Sequence, residues 1–220
     1  MLVFTLIGPP GVGKGTLAGA TEPELGLVHV STGQLIRQEV ADDSVLGRRV
    51  KTRVEAGEFV DDETVTELVR QQLESLDSTK RGILLDGYPR TLRQAQLLDR
   101  MLATADDSLD QAVSLEAPQS VLLERLTGRR VCEDCRLTYH TTFQPPAVTG
   151  RCDRCHAPLT QRADDAPETV SERLAIYHER TEPILDFYRN HGVLTALDAT
   201  GSPEVCAAAL NAQLRSLCTP

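Results

Sequence analysis

An α/β fold is what this sequence predicts: a parallel sheet flanked by helices, with a helical insertion and a small metal-stapled segment. Three observations carry that expectation. Apolar runs of strand length alternate with amphipathic stretches of helix length along most of the chain, a rhythm that calls for crossover connections and a sheet covered on both faces. The first apolar run opens into the glycine-rich stretch GPPGVGKGT. The rhythm fails between residues 129 and 165, where prolines and glycines accumulate with four of the six cysteines.

Residues 2–7, LVFTLI, read as a short buried strand ended by Gly8. A helix begins near Lys14, is interrupted over 23–26 by Pro23 and Gly26, and gives way to a second strand at 27–30. Residues 33–76 are predicted helical in three pieces, broken at Asp42-Asp43 and at Gly57. ILLD at 83–86 forms a buried strand that ends in a turn, and a helix over 91–102 follows. QAVSLEAP supplies another strand, and after Pro118 a helix covers 119–127. A long amphipathic helix spans 169–189, bent by Pro183. VLTALDA is the final strand and residues 203–215 the final helix.

Composition narrows the function classes. With 220 residues, a 40% apolar and 25% charged composition, the chain can bury a sizeable core. A net charge of −9 argues against a general nucleic-acid or membrane binder, which needs a basic face. No stretch reaches the ~20 apolar residues needed to cross a bilayer, and no basic region precedes the first apolar run. A cytosolic address is therefore expected, and in a reducing compartment six cysteines mean metal ligands or buried thiols before disulfides.

The loop Gly8-Pro9-Pro10-Gly11-Val12-Gly13-Lys14-Gly15-Thr16 sits between a strand and a helix. Such a loop turns successive backbone N–H groups into one concavity, and the helix dipole adds positive potential at its mouth. Lys14 then reaches the β- and γ-phosphates, which makes this a nucleotide site and the fold a P-loop NTPase type. Gly15 stands where the usual pattern has the Mg²⁺-ligating hydroxyl, with Thr16 one residue later. The metal is therefore expected to be held by phosphates, water and Asp86. The turn Asp86-Gly87-Tyr88-Pro89-Arg90 follows a buried strand, and ligands of open α/β sheets lie at the carboxyl ends of strands. Arg90 offers a planar fork to a phosphate dianion; Arg37, Arg125, Arg129, Arg130, Arg162 and Arg173 are further basic candidates.

Cys132-x2-Cys135, sixteen intervening residues and Cys152-x2-Cys155 present two knuckles, hence four sulfurs in a tetrahedron. With every ligand from protein the ion is structural. Zinc is the expected metal, iron and cobalt also accept such a site, and two disulfides are the competing reading. His140 and His156 are surplus to that set, and Cys206 and Cys218 read as ordinary thiols.

Taken together, GPPGVGKGT, STGQLIR, LLDGYPRTLRQAQ, ERLTGRRVC, TYH, QRADDAPETVSERL and the four-cysteine insertion resemble the adenylate kinase family in its long, metal-containing bacterial form. The resemblance covers essentially the whole chain. It implies reversible phosphoryl transfer from MgATP to AMP, giving two ADP, by a monomer that binds neither nucleic acid nor membrane. Gly11, Val12, Gly13, Lys14, Gly15 and Thr16 would cradle the ATP phosphates, Arg129 with Thr138 and Tyr139 would hold ATP's other side, and Gly201 would touch its base. For AMP the matching positions are Thr32, Arg37, Glu58, Phe59, Val60, Gly87, Tyr88, Pro89, Arg90, Gln94, Arg162 and Arg173. Thr32 and Gln94 would face adenine, Arg37 and Arg90 the α-phosphate, and Arg129, Arg162 and Arg173 the migrating phosphoryl group.

The division implied is a core of residues 1–30, 61–128 and 166–220, an AMP-binding segment of 31–60, and a zinc-binding lid of 129–165. The acceptor is already an anionic oxygen, so no general base is needed, and the transition state asks for positive charge and positioning. Gln34 departs from the family, which usually has aspartate there, and so removes a negative charge near Arg37. Two other readings stay open: a UMP/CMP-type kinase, and a zinc-ribbon NTPase that binds nucleic acid.

Overall fold

The computed structural model describes residues 1–56, 58, 60–76 and 80–218, with the backbone alone for 167 and 168. Five parallel strands make the central sheet: β1 (Leu2–Ile7), β2 (Leu27–Ser31), β3 (Gly82–Asp86), β4 (Gln111–Glu116) and β8 (Leu194–Asp198), in the order β2-β3-β1-β4-β8. Register aligns Leu6 with Asp86 and Ser31 with Asp86, so the ends of β1, β2 and β3 meet at one edge. All residues of β3 are buried, as a central strand covered on both faces must be. Phe4, Leu6, Leu84, Val113 and Leu115 point to one side, into a core closed by α1 (Lys14–Leu25), α6 (Gln119–Thr127), α7 (Pro167–Ile176) and α9 (Pro203–Cys218). Val3, Ile83, Leu85 and Ala112 point to the other, under α4 (Asp62–Glu74), α5 (Leu92–Thr104) and α8 (Pro183–Asn190).

The insertion after β2 is helical as expected: α2 (Thr32–Ala41) and α3 (Val45–Glu55) pack together before α4. Asp43 takes a left-handed conformation at φ 48 between them, and Ser44 caps α3 by accepting from the Gly47 N–H. The break expected at Gly57 lies outside the described residues.

Two elements differ from expectation. Pro23 does not interrupt α1, which runs on to Leu25 and closes at Gly26, whose left-handed N–H donates to the Glu22 carbonyl. The proline falls in the last turn and removes one hydrogen bond at a helix end, while Thr21 and Leu25 on either side of it are buried. Core packing there outweighs the local break. The stretch 129–165, unpatterned in sequence, contains β5 (Arg129–Cys132), β6 (Thr138–His140) and β7 (Leu159–Thr160), an antiparallel sheet in the order β6-β5-β7. Its strands are too short for alternation to register in sequence.

At Pro183 the helix expected over 169–189 is divided into α7 and α8. Lacking an N–H, the proline is preceded by a π-turn over Tyr177–Thr181, where the Glu182 N–H donates to the Tyr177 carbonyl at 2.9 Å. That wider turn sets the Thr181 hydroxyl 2.9 Å from the Arg90 carbonyl, to which it donates.

Candidate active site

The glycine-rich loop links β1 to α1 by way of Gly11 at φ 84 and Gly13 at φ 104, backbone that side chains rarely adopt. Gly13 forms the N-cap of α1, so the free N–H groups of the helix's first turn open into the loop. Val12 is buried in the core and anchors the loop from below. Lys14 folds back to donate to the carbonyls of Gly8 at 2.7 Å and Pro9 at 2.9 Å. Burial first, then the nearby Arg90, Arg173 and Arg129, bring its ammonium down to about 7, against the opposing pull of Asp86.

Asp86 ends β3 against this loop: a Cβ on Gly15 would lie 3.2 Å from its Oδ2. His29 of β2 approaches the same oxygen at 3.4 Å through Nε2. Burial would raise the Asp86 carboxyl, but hydrogen bonding to His29 and the charge of Lys14 outweigh it and hold the group below its ordinary value. A side chain at position 15 would therefore crowd the Asp86 carboxylate.

Five arginines converge beyond the loop. Arg129 grips Asp165 with both arms of its fork, Nε to Oδ2 at 2.7 Å and Nη2 to Oδ1 at 2.5 Å. Arg173 reaches Asp165 Oδ1 at 3.2 Å and the Asp164 carbonyl at 2.7 Å, and Arg162 pairs with Asp164 at 2.5 Å. Arg90 donates through Nε to the Gly87 carbonyl at 2.7 Å. Arg37 lies in the same field: burial, then Arg162, bring its guanidinium down to about 9. Burial is also the first cause that lowers Arg90, Arg162 and Arg173. Asp86, Asp164 and Asp165 face Lys14 and five arginines, so positive charge is in excess in a confined space. A space of that charge suits a polyanion.

The remaining predicted positions fall into three groups. The Gly87 carbonyl accepts from both Arg90 and the buried Thr32 hydroxyl, the latter at 2.8 Å. Gln94 is buried; its Oε1 accepts from the Arg90 N–H at 2.7 Å and its Nε2 donates to Asp62 at 2.9 Å. Tyr88 and Val60 have their side chains in the core, and the Tyr88 carbonyl accepts from Thr5 at 2.6 Å. Pro89 is buried between Tyr88 and Arg90, while Glu58 is exposed. Phe59 lies outside the described residues. On the opposite rim Gly201 belongs to a loop held by Arg125, whose Nη1 donates to Ala199 at 2.8 Å and whose Nη2 donates to Gly201 at 3.1 Å. Thr138 is exposed, and the Tyr139 side chain is buried within the lid.

Sequence reasoning named Arg125 only as one basic residue among several and gave Asp62, Asp164 and Asp165 no binding role. Arg130 stays outside the cluster and donates to the carbonyls of Thr127 and Arg129. The signal for Asp164 and Asp165 was present as two consecutive acids beside Arg162; what they hold depends on distant α7 and β5.

In the lid the four sulfurs of Cys132, Cys135, Cys152 and Cys155 all lie within 4.8 Å of one another. The separations Cys132–Cys155 and Cys135–Cys152 are both 3.3 Å, and Cys135–Cys155 is 3.6 Å. A regular thiolate tetrahedron around a zinc-sized ion has edges of about 3.8 Å, so this donor set fits a closed metal site. All six cysteines are free thiols, which removes the two-disulfide reading.

Among the described residues no helix is long and apolar enough to cross a membrane. The adenylate kinase family model matches residues 6–193. The adenylate kinase of Carboxydothermus hydrogenoformans is 45% identical over 208 residues, 94% of this chain and 97% of the relative. That of Moorella thermoacetica is 44% identical over 197 residues, 90% of each chain. That of Clostridium perfringens strain SM101 is 41% identical over 215 residues, 98% of this chain and 96% of the relative. Matches of this extent run through the phosphate loop, the arginine cluster and the cysteine lid alike: the chain belongs to the adenylate kinase family, phosphotransferases that interconvert ATP, AMP and ADP.

Proposed function

We propose that this chain moves a phosphoryl group between ATP and AMP by charge and positioning alone, with each predicted residue in the role its place allows. The observation that carries the reading is the convergence of Lys14, Arg37, Arg90, Arg129, Arg162 and Arg173 on one space beside the phosphate loop. The loop N–H groups and Lys14 hold the ATP phosphates, and Arg37 with Arg90 holds the AMP phosphate. Arg129, Arg162 and Arg173 neutralise the equatorial oxygens of the group in flight. Asp164 and Asp165 keep those three forks aimed. Mg²⁺ arrives with ATP as part of the substrate and screens its phosphate charge; Asp86, against Gly15, is the carboxylate placed to hold its water shell.

Thr32 and Gln94 border the acceptor pocket, where the neutral polar atoms suit an adenine. Arg125 and Gly201 border the donor base. Residues 129–165 act as a lid over the phosphates, 31–60 as the acceptor segment, and 1–30, 61–128 and 166–220 as the frame. Closure excludes the water that would otherwise take the phosphoryl group. Zinc is the resident ion, since four thiolates in a closed tetrahedron suit it best. The lid's arginines are engaged by Asp164 and Asp165, which favours the enzyme over a nucleic-acid-binding ribbon.

MgATP offered with AMP, CMP, UMP and GMP in turn tests this reading. AMP is expected to yield two ADP per turnover, and the other acceptors to react at least about a hundredfold less efficiently, because a site built for one set of hydrogen bonds leaves buried groups unpaired with another. Comparable rates with UMP or CMP would establish the pyrimidine-directed alternative.

Proton uptake provides a second check. The Lys14 pKa falls from 10.5 to about 7 in the folded chain, so between those values the unfolded state holds more protons and this group makes stability rise with pH. ATP phosphates restore the charged form. At pH 8 binding is therefore expected to take up between about half a proton and one, read by calorimetry in buffers of different ionisation enthalpy. The Lys14→Met variant loses that uptake; binding by the wild type without it refutes the assignment.

A further inference from the structure

The lid sheet closes over very little apolar material. Its buried cluster is Cys132, Tyr139 and Cys152, with Cys135, Ala157 and Leu159 partly covered. Tyr139 is the large side chain in this group, 6% exposed, on the strand where the sequence resemblance placed an ATP contact. Its hydroxyl has two neighbours. The Asp153 N–H donates to Oη at 2.9 Å, and Sγ of Cys152 lies 3.4 Å away.

Proton accounting settles the direction of the second contact. A phenol carries one proton and accepts through its lone pairs. The Asp153 N–H takes one lone pair of the oxygen, and a metal-bound Cys152 thiolate has no proton to give, so the hydroxyl's own hydrogen goes to the sulfur. Left without an acceptor, a buried O–H costs about 1–3 kcal/mol. A thiolate bound to a divalent ion is in turn an acceptor whose charge and direction are set by such partners.

We propose that Tyr139 is a positioning residue of the four-cysteine metal site, its hydroxyl donating to the Cys152 sulfur. The inference rests on the reading of that cluster as a metal site. It moves the Tyr139 side chain from the nucleotide to the ion, and leaves to the nucleotide only what strand β6 offers through its backbone and the exposed Thr138. It also ties the ion to the sheet edge that matters for transfer, because β6 pairs with β5 and sets Arg130 opposite Tyr139 and Arg129 opposite His140.

Cobalt(II) is the probe. Apoprotein made by chelation is reloaded with Co²⁺, and the thiolate-to-cobalt charge-transfer absorption is recorded alongside affinity, measured by competition with a chelator. The full-length wild type is expected to take up one equivalent. Tyr139→Phe is expected to bind about 10–100-fold more weakly, with the band at lower energy, because a sulfur lone pair relieved of a hydrogen bond is easier to ionise. Site-specific 3-fluorotyrosine at 139, a stronger donor of nearly the same shape, moves the band the other way and keeps the test open if the phenylalanine variant fails to fold. An unmoved band in the fluorotyrosine protein overturns the proposal, as does wild-type band and affinity in Tyr139→Phe. A wild type that takes up no stoichiometric cobalt overturns the metal-site reading beneath it, a failure visible before any variant is made.

Discussion

Arg90→Ala is expected to lower kcat/KM for the ATP–AMP reaction by about three orders of magnitude, with no matching fall in melting temperature. A charge-assisted hydrogen bond is worth about 1.5–3 kcal/mol and a bidentate fork makes two; at 1.4 kcal/mol per tenfold, their loss is roughly 10²–10⁴. The fold is largely spared because the Arg90 backbone keeps its own ties: its N–H donates to Gln94 and its carbonyl accepts from Thr181. Removing the guanidinium leaves the Gly87 carbonyl still paired with Thr32, and the lost attraction to Asp86 is offset by relief of the burial cost and of repulsion from Arg162. Arg90→Lys keeps a point charge without the fork and is expected to recover only part of the loss. Steady-state kinetics and a thermal melt on the same preparations decide it. Near-normal turnover in the alanine variant removes Arg90 from the site, and parallel loss of rate and melting temperature gives it a structural role instead.

Removal of the metal, by chelation or through Cys132→Ser, is expected to cost thermal stability before it costs chemistry. The lid's buried cluster is three side chains, two of them ligands, too little apolar surface to order residues 129–165 unaided. At free metal about a thousandfold above Kd, occupancy stabilises by about 4 kcal/mol, which for a chain of this size corresponds to roughly 10 °C in melting temperature. Hydrogen exchange should rise first in β5, β6 and β7 while β1 and β3 stay protected. In the cold the loss of rate is smaller, since Arg129 and Asp165 stand at the two ends of the segment and Asp165 is itself held by Arg173 of α7. A Cys132→Ser protein that keeps both its ion and its melting temperature defeats the structural-site assignment.

Local structure marked in sequence is borne out where one short segment suffices to produce it. The phosphate loop needs only its own glycines and the strand and helix beside it. The cysteine knuckles need only their spacing, and the prolines at 118 and 183 act on the backbone next to them. The misjudged helix break at Pro23 shows the limit. A local rule was outweighed by the burial of Thr21 and Leu25, which depends on β1 and α9 and so on residues far along the chain.

By itself, then, the sequence determined the strand–helix alternation, the nucleotide loop, the four-thiolate site and the inventory of arginines. Only the folded chain decided which arginines matter and what aims them. Arg130 and Arg129 are neighbours in sequence, yet one is tied to hinge carbonyls and the other to Asp165. Arg125 holds the loop at Ala199 and Gly201, and Tyr139 turns its hydroxyl toward a sulfur. The physical reason is range. Backbone geometry and ligand spacing are fixed by neighbours a few residues away, whereas desolvation and the pairing of buried charges depend on what the sheet brings together from opposite ends of the chain.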